Sequence, residues 1–488
     1  MRTLLIAIVL LIHAVASFAA GPLLQSTDMV YLGAFRVPQG NAGGPSGTGY
    51  AYSQSDAMVY NPAHNSIFIV GGGNNAQLVG ELSVPTPVHS AVLSNLSTAH
   101  ILQNLTDITS GNLANIGTGG SNLGGNGIFI GGLLIRGSKL IGTAYPFYST
   151  GDVLSHFTAN TNFTSSVGFA GMYQVSNLTA PVTASFLDGY MTDIPTEYQS
   201  QLGGTALTGN CFIALTSNTS YGPSVFSFDP TQLGVTSPVP ANPLVYYDYA
   251  HTTLGPWASG RQDQYVSTTD HIQGVTFPVN SRSVLFFGRH GTGISCYGVP
   301  TADPTVGTSL GPNNVTAVGS NAWLRANSPS GYNCSGDSMS AAEISAGDSC
   351  CYDPINVGNK GTTAYPYEPF VWAYDVGNPD GSSTTGNSTS NNTLTAVKLG
   401  VQNPWGITPY AGWSLDSNLS VFNTNTAIWG AAYDPVQQRI YVAQQSGDNP
   451  GSYPLIHVFG VNLTITKIPA VRSGGVPLQR TGGVPVIR

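Results

Sequence analysis

The residues best suited to do chemistry surround an Arg-His dipeptide, Arg289-His290. The dipeptide ends an apolar run and precedes a loop at 291–293 whose two glycines permit a sharp turn. A guanidinium beside an imidazole could neutralise an acidic group while the histidine moves a proton. We therefore predict Arg289 and His290 as catalytic residues of a site for an acidic ligand.

Further side chains of suitable types approach the same point from both directions along the chain. Asp270 and His271 precede the hairpin that ends in the dipeptide, and Tyr297 follows it. Tyr365 and Tyr367, in AYPYEPF, could supply a phenol base or a platform on which a sugar ring stacks. We predict His271 and Tyr365 as catalytic, and Asp270, Tyr297 and Tyr367 as ligand-binding. The alternative is structural: the cation would pair with a nearby aspartate, and the rings would only line a strand.

No metal site and no cofactor are predicted. Histidine is absent at ligand spacing from the Cys350-Cys351 pair, which argues against zinc. Asp375, Asn378 and Asp380 imitate part of a calcium loop but lack its terminal bidentate acid. A redox site that holds a quinone or copper is disfavoured because no Cys-Tyr-His ligand set is evident.

The elements that must position these residues are predicted to be β-hairpins. Residues 274–290, GVTFPVNSRSVLFFGRH, contain an apolar run, a polar turn and a second run rich in β-branched and aromatic residues. The same frame recurs at 57–72 and at 430–445. A hairpin that recurs along most of a chain indicates a repeat architecture. Counting hairpins predicts six or seven four-stranded units of about 60 to 70 residues each.

Two segments resemble blades of known β-propellers. SIFIVGGG at 66–73 is similar to the double-glycine strand of kelch blades, and YDPVQQRIYVA at 433–443 is similar to YVTN-type extracellular propellers. The resemblance implies an all-β fold with a single propeller of six or seven four-stranded blades. It also implies that ligands bind at one end of the central channel, on loops that join successive blades. A β-helix or a pair of β-sandwiches is the alternative fold.

Other local patterns complete this description. Residues 195–202 predict a helix with Thr196 as its N-cap, and residues 394–399 predict a strand. Residues 302–361 predict a long loop that carries three of the cysteines, and is therefore either cross-linked or functional.

The chain has five cysteines, an odd number that leaves one thiol free or paired between chains. In an exported protein we expect disulfides. Cys334 would pair with Cys350 or Cys351, and either Cys211 or Cys296 could take the remaining partner.

The N-terminus predicts export. Met1–Ala20 contains Arg2, then an apolar run, then small residues, which is typical of a signal peptide cleaved after Ala19 or Ala20. The run is short for a membrane anchor, and no later segment is apolar for long enough to span a bilayer. Eleven Asn-x-Ser/Thr triplets are compatible with glycosylation. The mature protein is expected to be secreted, extracellular or at the cell surface.

The charge balance argues against a nucleic-acid partner. Charged residues make up 8% of the chain, the net charge is −8 and only four lysines occur. No basic stripe is therefore present to displace the counterions of a phosphate backbone.

The sequence divides into a signal peptide at 1–20, a propeller at 21–471 and a tail at 472–488. The tail, RSGGVPLQRTGGVPVIR, repeats a Gly-Gly-Val-Pro motif and is either a frayed terminus or an arm that docks on another subunit. Our functional hypothesis is an exported propeller that binds, and could cleave, an extracellular acidic polysaccharide in a lyase-like reaction. The alternative is an adhesive surface glycoprotein that self-assembles through the tail.

Overall fold

A computed structural model shows that the chain folds as a β-propeller of five blades. The residues that the structure describes are 21–51, 55–124, 127–148, 151–176, 178, 182–212, 219–248, 269–292, 296–302, 350–357, 361–378, 391–415, 427–448 and 452–463.

The strands follow one another blade by blade along the chain. The first strand is β1 (Met29–Arg36). Blade 1 contains β2 (Met58–Asn61), β3 (Ser66–Gly71), β4 (Leu78–Ser83) and β5 (Ile101–Thr106). Blade 2 contains β6 (Ile128–Arg136), β7 (Lys139–Pro146), β8 (His156–Asn160) and β9 (Ala170–Tyr173). Blade 3 contains β10 (Met191–Asp193), β11 (Ala206–Thr208), β12 (Val225–Phe228) and β13 (Ala241–Val245).

The remaining strands build the last two blades and an insertion. Blade 4 begins with β14 (His271–Thr276) and β15 (Ser283–Gly291). An inserted three-stranded sheet follows, with β16 (Cys296–Thr301), β17 (Cys350–Tyr352) and β18 (Gly361–Thr363). Blade 4 is completed by β19 (Tyr367–Asp375) and β20 (Ala411–Ser414). Blade 5 contains β21 (Ile428–Asp434), β22 (Arg439–Asp448) and β23 (Tyr453–Val461), with β1 as its outermost strand. The helices described are α1 (Gly73–Ala76), α2 (Thr196–Leu202) and α3 (Leu394–Lys398).

The innermost strands of the blades form a closed ring. Strand β2 contacts β21 and β6, β6 contacts β10, β10 contacts β14, and β14 contacts β21. The N-terminal strand closes the ring by pairing antiparallel with β23, from Met29 opposite Val461 to Arg36 opposite Leu455. The first and last described strands therefore stabilise the same blade.

Each blade is hydrophobic on both faces because it packs between two neighbours. In β3, Ile67 and Ile69 belong to the core shared with blade 5, whereas Phe68 and Val70 belong to the core shared with blade 2. Strand β15 alternates in the same way between the cores shared with blades 3 and 5. Side chains alternate between the two faces of a strand, so a sheet buried on both sides has a continuous apolar sequence.

The predicted all-β propeller with four-stranded blades is confirmed, but the predicted number of six or seven blades is wrong. Blade 4 extends from His271 to Ser414, because the insertion separates its second strand from its third. The count of hairpins predicted too many blades, because local patterns do not show that the strands on either side of this insertion belong to the same blade.

The recurring hairpin is confirmed as the two inner strands of a blade. The three copies form β2–β3, β14–β15 and β21–β22. Helix α2 is also confirmed, although Pro195 takes the N-cap position predicted for Thr196. The strand predicted at 394–399 is wrong: these residues form α3, whose first turn is capped because Thr393 Oγ1 accepts a hydrogen bond from the Ala396 amide.

Cys211 is a buried free thiol that donates to the carbonyl oxygen of Asp270, with a sulfur–oxygen distance of 3.6 Å. It is therefore not the second disulfide partner that the sequence allowed. The side chains of the other four cysteines lie outside the described residues.

The propeller has two faces, which we name by their connections. The hairpin face carries the turns between first and second strands, such as residues 137–138 of blade 2. The crossover face carries the connections between successive blades and those between second and third strands. Residues at the beginning of β14, the end of β15 and the beginning of β19 all lie at the crossover face.

Candidate functional site

Arg289 lies near the end of β15, directly opposite His271 on β14. Its guanidinium carbon is 4.4 Å from the centroid of the Tyr367 ring, a cation–π contact. Its Nε is buried without a hydrogen-bond partner. Among the residues that the structure describes, no carboxylate forms an ion pair with Arg289. The cation is thus oriented by an aromatic ring, and no described carboxylate neutralises it.

The inserted sheet fixes the Tyr367 ring. The Tyr367 hydroxyl donates to Asp353 Oδ2 at 2.7 Å and accepts from the Ala364 amide at 3.2 Å. Asp353 is fully buried and also accepts from the backbone amides of Ile355 and Asn356. Burial raises the pKa of Tyr367, and Asp353 raises it further although Arg289 opposes this effect. Tyr367 is therefore a neutral, hydrogen-bonded phenol that positions Arg289.

Asp270 and His290 form a buried pair at the same end of blade 4. His290 Nδ1 lies 2.7 Å from Asp270 Oδ1, and both residues are 3% exposed. The imidazole also packs against Phe370 and Trp372. The predicted proximity of Asp270 to His290 is correct, but the pair is enclosed by the blade.

An equivalent contact in blade 3 gives this pair a structural explanation. Asp188 precedes β10 as Asp270 precedes β14, and it accepts a hydrogen bond from Asn210 Nδ2 at 2.8 Å. Asn210 follows β11 closely, and His290 lies near the end of β15. In both blades, a side chain near the end of the second strand therefore contacts, at hydrogen-bond distance, an aspartate that precedes the first strand. The repeated arrangement favours a role in closing the crossover end of the blade.

His271 belongs to a layer that fills the central channel at the crossover face. Its ring lies 4.3 Å from Trp429 and 4.6 Å from Phe212, measured between centroids. Gln273 Nε2 lies 2.7 Å from His271 Nε2 and 3.4 Å from the Tyr145 hydroxyl. Because Tyr145 belongs to blade 2 and Gln273 to blade 4, this contact crosses the propeller axis. Burial lowers the pKa of His271 well below its usual value, with a further contribution from Arg289.

The remaining predicted residues lie on the same side of blade 4. Tyr365 is half-buried, with its ring centroid 6.2 Å from that of Tyr367. Tyr297 lies on β16 opposite Thr362, and its side chain is outside the described residues. The structure therefore brings together Arg289, His271, Tyr365 and Tyr367, beside the enclosed pair. Sequence patterns did not indicate Asp353, which precedes Tyr367 by fourteen residues and meets it because the insertion folds back.

A cavity of about 630 Å³ lies on the propeller axis at the opposite, hairpin face. Inner strands of all five blades line it, represented by Tyr60, Leu134, Met191, Val275 and Ala432. Arg136 and Asp193 form an ion pair at this cavity, and Glu197 is a further acidic lining residue. None of the predicted site residues lines this cavity. The cavity is therefore a second candidate ligand site, separate from the cluster around Arg289.

No protein-family model matches the sequence, and no curated protein is significantly similar to it. The kelch-like and YVTN-like segments therefore stay resemblances. Within the described part of the chain, no three histidine, cysteine, aspartate or glutamate side chains form a group that could hold a metal ion. No helix in that part is long and apolar enough to cross a membrane.

Proposed function

We propose that this chain is an exported β-propeller that binds an acidic carbohydrate at the crossover end of blade 4. Arg289 carries the proposal, because its partly buried guanidinium is held against the Tyr367 ring and no carboxylate of the described residues pairs with it. A guanidinium oriented in this way is suited to receive a carboxylate. Tyr365, half-buried beside Tyr367, is available as a platform for the adjoining sugar ring.

The geometry supports binding better than cleavage. A lyase needs a base that reaches the proton next to the substrate carboxylate, yet His271 and His290 are only 2% and 3% exposed. The hydroxyl of Tyr367 is bonded to Asp353 and its pKa is raised. Of the four predicted catalytic residues, Arg289 and Tyr365 are the ones that a glycan could touch without rearrangement of the blade.

The Asn-x-Ser/Thr motifs that the structure describes are compatible with glycosylation of an exported protein. Five of the Asn-x-Ser/Thr asparagines are described, and all five side chains are exposed: Asn95, Asn104, Asn162, Asn391 and Asn462. Attached glycans would therefore project into solvent without disturbing a blade.

Binding to an array of neutral and acidic glycans tests the proposal, with ultraviolet absorbance recording any unsaturated product. We expect the wild-type protein to bind uronate-containing glycans, and Arg289→Ala to bind them about 10- to 100-fold more weakly, the usual effect of losing a hydrogen bond to a charged group. Rising absorbance would add the elimination reaction to the binding function.

Arg136→Ala is the matched control, because it removes an arginine from the cavity at the hairpin face. Its glycan affinity should equal that of the wild type. Loss of binding in Arg136→Ala with full binding in Arg289→Ala would transfer the site to the hairpin face and refute our assignment.

The adhesive alternative depends on residues 472–488, which lie outside the described residues. Its support is the repeated tail sequence alone. Sizing of a chain truncated after Val471 tests it: assemblies that disappear with the tail, together with no binding to any glycan, would favour self-assembly over carbohydrate binding.

A further inference from the structure

Two buried carboxyl groups face each other between blades 2 and 3, away from the proposed glycan site. Asp152 lies between β7 and β8, and Asp188 lies just before β10. Their exposed fractions are 6% and 0%. The two carboxyls lie close enough for each to affect the pKa of the other. When both carboxyls are ionised, neither can donate a hydrogen bond to the other, and the two negative charges repel.

One side-chain donor and one backbone hydrogen bond reach each carboxyl of this pair. Ser185 Oγ donates to Asp152, lying 3.0 Å from both carboxylate oxygens, and Asn210 Nδ2 donates to Asp188 Oδ1. Asp188 Oδ2 and Asn210 Oδ1 are buried and have no hydrogen-bond partner. In the described part of the chain, no arginine, lysine or histidine forms an ion pair with either aspartate.

A buried anion without a counter-charge is strongly destabilising, so these oxygens need either a shared proton or a cation. Burial is the main cause that raises the pKa of both carboxyls, and Asp152 raises that of Asp188 further. A proton shared by the carboxyls would leave the buried oxygen of Asn210 unsatisfied. A cation could bind the Asn210 oxygen together with both carboxylates.

We propose that Asp152 and Asp188, together with the side-chain oxygen of Asn210, bind a Ca²⁺ ion at the junction of blades 2 and 3. Carboxylate, amide and hydroxyl oxygens are hard ligands, and Ca²⁺ accepts six to eight of them in flexible geometry. Two of the proposed ligands are carboxylates and the others are neutral oxygens.

The ion would link neighbouring blades. Asp152 belongs to a loop of blade 2 and forms an isolated backbone bridge with Gly117, whereas Asp188 and Asn210 belong to the crossover end of blade 3. Binding would therefore stabilise the native protein against unfolding, since the ligands come together only when the ring has closed.

Calorimetric titration of the chelator-treated full chain with CaCl₂ tests this proposal, alongside the thermal unfolding midpoint with and without the ion. We expect one Ca²⁺ per chain and a higher midpoint with Ca²⁺, and a smaller shift with Mg²⁺. Asp188→Asn should abolish both the binding heat and the shift. Its amide can donate to Asp152, so this variant should fold without calcium.

Asp375→Asn is the control, because Asp375 is a buried carboxyl that already pairs with Arg282. It should retain the calcium response. If Asp188→Asn does not fold, Asp152→Asn replaces it with the same expectation. The proposal is overturned if the wild-type chain neither binds nor is stabilised by millimolar Ca²⁺, or if a folded Asp188→Asn or Asp152→Asn variant binds Ca²⁺ as the wild type does.

Discussion

Two buried histidines should make the propeller sensitive to acid. His156 of blade 2 lies beside Ser155 and beside Thr208 of blade 3. His457 lies between Tyr31 and Gln444 in blade 5. Both residues are 0% exposed. Burial lowers the pKa of each imidazole from 6.5 to about 3. The folded protein keeps both rings neutral in mild acid, whereas the unfolded chain protonates them.

The size of the effect follows from proton linkage. A folded pKa below the unfolded value contributes stability that is complete above pH 6.5 and is lost as the pH falls towards 3. At pH 5, about 1.5 units below the unfolded pKa, protonation of each histidine stabilises the unfolded state by about 2 kcal/mol. The two residues together should therefore lower the free energy of unfolding by about 4 kcal/mol between pH 7.5 and pH 5.

Urea denaturation at both pH values measures this loss. His156→Gln and His457→Gln should each reduce it by about 2 kcal/mol, whatever each substitution does to stability at pH 7.5. His100→Gln, which removes an exposed imidazole, should leave the loss unchanged. If the variants at the buried positions keep the full wild-type loss, these imidazoles are not buried as neutral groups and the reasoning is refuted.

Two substitutions test the closure and packing of the ring. Asp448→Asn should lower the free energy of unfolding by about 1.5 to 3 kcal/mol, the usual cost of losing a hydrogen bond between charged groups. Arg36 Nε and Nη2 lie 2.8 and 3.1 Å from the buried Asp448 carboxylate and connect β1 to β22, and the Arg36 side chain is partly exposed. A loss below about 1 kcal/mol in urea would mean that backbone pairing of β1 closes the ring without this contact. Gly430→Ala should cost about 1 to 3 kcal/mol, since its Cβ would lie 2.0 Å from the Asp56 carbonyl oxygen of the next blade. An unchanged unfolding midpoint would contradict such close contact between the inner strands.

Local patterns in the sequence predicted the parts of the site that lie near one another along the chain. Arg289 and His271 are opposite each other because both belong to one hairpin, whose register follows from its two apolar runs and its turn. Asp270 meets His290 for the same reason. The burial of His271 could not be predicted in this way, because Phe212 and Trp429 reach it from neighbouring blades.

The sequence by itself determined the all-β class, the recurring inner hairpin and the clustering of Arg289 with its hairpin neighbours. These features depend on side-chain alternation and turn residues, which act over a few positions. Only the tertiary structure decided the number of blades, because β15 pairs with β19 across a long insertion. It likewise brought Asp353 to Tyr367 and Asp152 to Asp188. Such contacts depend on how the insertion folds back and on how neighbouring blades pack, and both join residues that no local sequence pattern connects.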